Sequence, residues 1–64
     1  MQIILNGSPC HTNAATLADA LAQAGVTGHI ATALNGSFVP AALRDQTPIR
    51  DGDRIEALAP MQGG

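Results

Sequence analysis

The chain has no lysine, tryptophan or tyrosine, and Phe38 is its one aromatic residue. Three arginines stand against five acids, for a formal net charge of -2. A nucleic-acid binder needs a basic face to release counterions, and single-strand binders stack bases on aromatic rings. This composition supplies neither. It also rules out a polybasic membrane anchor, and no apolar run approaches the length needed to span a bilayer. One cysteine, Cys10, cannot close an internal disulfide. The N-terminus reads as a strand and lacks the basic start of a signal peptide. Together these absences point to a reducing cytoplasm.

What is present fits one small folded unit. Hydrophobic residues make up 45% of 64 positions, too many for a disordered segment. A chain of this length buries only a small core, so its stability is marginal. It has no room for a substrate cleft with catalytic machinery of its own. Residues 1–64 are read as a single domain, with residues 60–64 as a flexible tail.

Local signals give the order of elements. Gln2-Ile3-Ile4-Leu5 is an apolar run followed by Asn6-Gly7, a strong hairpin signal. Alternation puts Met1, Ile3 and Leu5 on the buried face. A weak return strand is expected around Cys10 to Asn13, at a sheet edge. Thr16 to Ala24 reads as the main helix, with Thr16 as N-cap and Asp19 near the positive end of the dipole. Leu17, Leu21 and Ala24 form its apolar stripe. Gly25 is the expected left-handed residue at its end, with Val26 closing behind it.

His29 to Leu34 reads as a strand, with Ile30 and Leu34 on one face. Asn35-Gly36 turns it into Phe38-Val39, which Pro40 ends. Ala41 to Asp45 is expected to form a helical turn with Leu43 inward. Pro48-Ile49 is a short extended piece, Asp51-Gly52-Asp53 a third turn, and Arg54 to Ala59 the last strand, with Ile55 and Ala57 inward. One helix on one face of a mixed four- to five-stranded sheet is an α+β arrangement. The first and last strands are expected to lie parallel at its centre.

The chain then finishes on Met61-Gln62-Gly63-Gly64, after Pro60. Pro60 cannot donate to a sheet ladder and so releases the chain from the last strand. The four residues beyond it span at most about 13–14 Å. Gly63 and Gly64 carry no Cβ, so they suit a narrow channel. This pattern fits a chain whose own C-terminal carboxylate is the reacting group. Leu58, alternating outward beside Glu56, is an apolar candidate for partner contact, with Met61 beyond it.

The strand-turn-strand-helix start, the Asn35-Gly36-Ser37-Phe38-Val39-Pro40 segment, the Asp51-Gly52-Asp53-Arg54-Ile55-Glu56 segment and the Gly63-Gly64 end occur in order. Together they resemble the ThiS family, the β-grasp sulfur carriers of thiamine biosynthesis. The similarity covers essentially the whole chain. It implies a ubiquitin-like fold and a protein co-substrate without catalysis of its own. In that family a ThiF-type adenylating enzyme, using ATP with magnesium, activates the C-terminal carboxylate. Sulfur, usually drawn from cysteine by a desulfurase, replaces one carboxylate oxygen. The thiocarboxylate then supplies a ThiG-type thiazole synthase. By position, Gly64 would be modified, and Gly63, Gln62 and Met61 would lie in the partner's channel. No cofactor is implied for the chain itself. Where relatives often have larger aliphatic residues in the last strand, this chain has Ala57 and Ala59.

The chemistry explains the need for partners. A terminal carboxylate, with a pKa of about 3.3–3.7, is ionised at neutral pH and is a poor electrophile. Adenylation gives it a leaving group. Other candidate sites are weaker. Cys10 beside His11 is a rival sulfur carrier, but it lacks a third orienting group and reads as an ordinary free thiol. Cys10, His11 and His29 are too few and wrongly spaced for a metal. Asp51 and Asp53 serve turn geometry. With no lysine, the chain lacks a side-chain amine on which conjugated chains could grow. Two other readings remain open: the small subunit of molybdopterin synthase or another thiocarboxylate carrier, and a β-grasp interaction module with an inert tail.

Overall fold

Two local conformations fix both hairpins. Asn6 and Gly7 adopt φ of 50° and 82°, and Asn35 and Gly36 adopt 51° and 86°. Positive φ at both central residues matches the right-handed twist of the flanking strands, and asparagine and glycine tolerate it best. The computed structural model describes residues 1–59. Within them, β1 (Gln2–Leu5) and β2 (Ser8–His11) flank the first turn, and β3 (Ala31–Leu34) and β4 (Ser37–Val39) flank the second. The helix α1 (Leu17–Gln23) lies between the hairpins, and a 3-10 helix (Ala41–Gln46) precedes β5 (Arg54–Leu58).

The five strands form one sheet in the order β2-β1-β5-β3-β4. β1 and β5 are parallel, with Leu5 opposite Ile55, and the other pairings are antiparallel. This is the arrangement that the β-grasp expectation requires. The expected return strand is shifted: it runs from Ser8, because the two-residue turn puts Ser8 directly opposite Leu5. The third strand begins at Ala31 and not at His29.

The helix behaves as its sequence dictates. The Thr16 hydroxyl accepts from the Asp19 N–H at 3.2 Å. At the other end, the Val26 N–H donates to the Leu21 carbonyl and the Gly25 N–H to the Ala22 carbonyl. That pair of bonds is a Schellman closure. Leu17, Ala20 and Leu21 are buried, and join Ile3, Ala14, Val39, Ile49 and Ile55 in the core. Ala24 is exposed, contrary to the expected stripe, because it caps the helix and half-buried Val26 turns back to cover that end. Met1 is also exposed, at the outer end of β1.

Leu43 departs from expectation. It is exposed, and Arg44 turns inward in its place. The Arg44 guanidinium donates to Thr32 Oγ1 at 3.0 Å and to the Ile30 carbonyl at 2.6 Å. Thr32 is buried on the core face and donates its hydroxyl to the Val39 carbonyl at 2.9 Å. An apolar residue facing inward from the 3-10 helix would leave those groups with fewer partners, and unmet buried polar groups cost more than a lost apolar contact there. Among the described residues, every buried side-chain nitrogen and oxygen has a partner.

Candidate functional site

The proposed reacting group at Gly64, with Met61, Gln62 and Gly63, lies outside the described residues. Pro60 lies outside them too, and the described chain ends at Ala59. β5 is the middle strand, paired with β1 on one edge and β3 on the other. Its start is tied down by the preceding turn: Asp53 accepts from the Arg50 N–H at 2.8 Å and from Asn35 Nδ2 at 3.0 Å. Asp51 accepts from the Gln2 N–H at 2.7 Å. Both aspartates thus hold the turn, as expected of them. The chain reaches Leu58 and Ala59 from the central strand of the sheet.

One face of the sheet carries α1, and the opposite face is open. Strand alternation assigns Ile55 and Ala57 to the covered face and Arg54, Glu56 and Leu58 to the open one. The registers then place neighbours on that face. Phe38 stands opposite Ala33, and Ala33 stands opposite Glu56. Leu58 stands opposite Ala31. Phe38 is 69% exposed and Leu58 64% exposed. Two large apolar side chains stand on neighbouring rows, with alanines between them on β3 and Glu56 in the row of Phe38, and give this face a partly apolar surface that reaches Leu58. A shallow groove of about 260 Å³, lined by His29, Ile30, Ala31, Leu58 and Ala59, adjoins it. A larger groove of about 460 Å³ lies in the helical layer, near Ala22, Val26 and Arg44.

Cys10 faces the core side, opposite Ile3, and is half-buried. Its thiol donates to the His11 carbonyl at 3.6 Å. Successive strand residues point to opposite faces, so the His11 imidazole is directed away from the thiol it would have to activate. Among the described residues, no group of three or more His, Cys, Asp or Glu side chains is gathered as for a metal ion. No helix among them is long and apolar enough to cross a membrane.

The family model for the ThiS family matches residues 3–64. The chain belongs to the ThiS family. A crystal structure of the thiamine biosynthesis protein ThiS from Geobacter metallireducens superimposes with a TM-score of 0.85 at 29% sequence identity. The match covers 100% of each chain. A comparison with curated proteins gives no match. The ThiS family assignment and the five-stranded β-grasp sheet thus agree with the resemblance read from the sequence.

For this ThiS family chain, sequence reasoning singled out Leu58 and missed Phe38. The signal was available, since Val39 is apolar and precedes Pro40, so its neighbour Phe38 must face the other way. What the sequence lacked was the register that sets Phe38, Ala33 and Glu56 in one row across three strands.

Proposed function

We propose that this chain is a sulfur carrier of thiamine biosynthesis whose working group is the Gly64 carboxylate. A carboxylate oxygen attacks the α-phosphorus of ATP at a ThiF-type partner, and pyrophosphate leaves. Hydrosulfide then adds to the acyl carbon and AMP leaves, giving a thiocarboxylate; a desulfurase-derived persulfide gives an acyl disulfide instead, which a partner thiol reduces to the thiocarboxylate, leaving a disulfide on the partner. That sulfur, drawn through a cysteine desulfurase or another donor, passes to a ThiG-type thiazole synthase. ATP and its magnesium belong to the partner. This chain supplies a slender end and a docking surface.

The observation that carries this reading is the reach of the family match, which extends to residue 64 and so includes Gly63-Gly64. The body behind the tail supports it, because neither Cys10 nor the histidines are set up as a competing centre. The open face of Phe38 and Leu58 would seat the partner, and Met61, Gln62 and Gly63 would thread its channel. An apolar patch at Leu58, six residues before Gly64 in the sequence, would bring docking and delivery together.

Mass spectrometry tests the proposal. The protein is incubated with its adenylating enzyme, ATP–Mg and a sulfur source. The expected product is heavier by the exchange of one oxygen for sulfur at Gly64. Deleting Gly64 should abolish the gain, and Cys10→Ala should leave it intact. No gain with a demonstrably active partner sinks the reading. Offering the loaded protein to thiazole synthase and to the large subunit of molybdopterin synthase separates the thiamine role from its nearest alternative.

A further inference from the structure

On one edge, β5 outlasts its neighbour. β1 ends at Leu5 and the chain turns away through Asn6 and Gly7. The last backbone bond on that edge runs from the Asn6 N–H to the Ile55 carbonyl at 2.9 Å. The next β5 residue directed to that edge is Ala57, whose N–H and carbonyl have lost their strand. The Asn6 side chain takes both. Its Oδ1 accepts from the Ala57 N–H at 2.8 Å, and its Nδ2 donates to the Ala57 carbonyl at 3.1 Å. The carboxamide reproduces a peptide group and extends β1 by one rung.

We propose that Asn6 is a positioning residue for the tail: its carboxamide holds the final rung of β5 and thereby sets where the residues leading to Gly64 leave the sheet. This role rests on the proposed function. β3 pairs with β5 as far as Leu58 on the other edge, so the strand stays attached without Asn6. The clamp adds the second edge, which fixes the strand's direction. Every residue loosened ahead of a reacting group adds backbone freedom that must be lost when the group is seated.

The simpler reading is that Asn6 serves only the left-handed turn. That reading does not account for a side chain bonded to both polar groups of one residue 51 positions away. The second hairpin provides a matched control. Asn35 has the same conformation, with φ of 51°, but its Oδ1 accepts from the Arg54 N–H at 2.9 Å, at the start of β5. Glycine at either position keeps the turn and deletes the carboxamide.

Asn6→Gly and Asn35→Gly are compared by amide hydrogen exchange and by steady-state kinetics with the adenylating enzyme and ATP–Mg. Asn6→Gly should speed exchange at Ala57 by about tenfold or more. It should lower kcat about fivefold while KM changes by less than about twofold, since the open face is untouched. Asn35→Gly should leave Ala57 exchange and kcat at wild-type values. Unchanged Ala57 exchange in Asn6→Gly overturns the role, as does faster exchange with unchanged kcat. An equal fall in kcat for Asn35→Gly also overturns it, because the effect would then be general loosening. If Asn6→Gly does not fold, Asn6→Asp decides by kcat and KM alone, since it keeps the acceptor for the Ala57 N–H and loses the donor to the Ala57 carbonyl; an unchanged kcat then overturns the role. Failure to activate the wild-type protein would overturn the proposed function instead, and with it the kinetic role of Asn6.

Discussion

Along β5, Ile55 and Ala57 face the helix, while Arg54, Glu56 and Leu58 face away. Ile55 is 1% exposed and Leu58 is 64% exposed, three residues apart on one strand. The covered side meets Leu5 and Leu34 across the neighbouring strands, and belongs to a core shared with α1. The open side meets Ile4, Ala33 and Ala31 and leaves its large residues to solvent. The comparison separates two demands on one strand. Stability draws on the first side, where apolar area leaves water on folding. The proposed recognition would draw on the second, where apolar area stays in water.

The sharpest way to test this division is to truncate one residue on each side. Ile55→Ala should cost about 3 kcal/mol, from lost transfer energy and a cavity. A domain this small has only about 3–5 kcal/mol to lose, so urea denaturation should find the variant near its unfolding midpoint without denaturant. Thr32→Val, on the same side, should cost about 1–2 kcal/mol by stripping a partner from the Val39 carbonyl and from Arg44. Its thermal midpoint should fall although shape and size barely change. On the open side, Phe38→Ser and Leu58→Ser should shift stability by no more than about 0.5 kcal/mol. Together they should weaken binding to the adenylating partner about tenfold, close to 1.4 kcal/mol, measured by calorimetric titration. Normal binding by that double variant would remove the open face from the proposal. Thr16→Ala should cost about 1 kcal/mol of stability, from the lost helix cap. Thr16→Ser should restore it, and neither variant should alter partner binding.

Much of this molecule was legible because its signals are local. Asn-Gly pairs demand positive φ, Thr16 and Gly25 bracket one helix, and alternation in Arg54–Leu58 assigns Ile55 inward and Leu58 outward. Those are consequences of sterics within a few residues. The misreadings share an opposite cause. Leu43 is apolar and so is expected inward, yet the space above the sheet also holds the Ile30 carbonyl and the Thr32 hydroxyl, and Arg44 answers both. Ala24 continues the helical period, but the chain reverses before the sheet can cover it. At the site, Leu58 could be chosen from one strand alone. Phe38 could not, since its place one row from Leu58 on the same face depends on two strand registers.

The sequence by itself determined the elements, the turns and the family pattern ending in Gly63-Gly64, because each depends on the conformational preferences of nearby residues. Only the tertiary structure decided which polar groups meet. It brought Arg44 to Thr32, aligned Phe38 with Ala33 and Glu56, and set the Asn6 carboxamide against Ala57 at the far end of the chain. Such contacts join residues distant in sequence, and strand register, which no local preference encodes, brings them together.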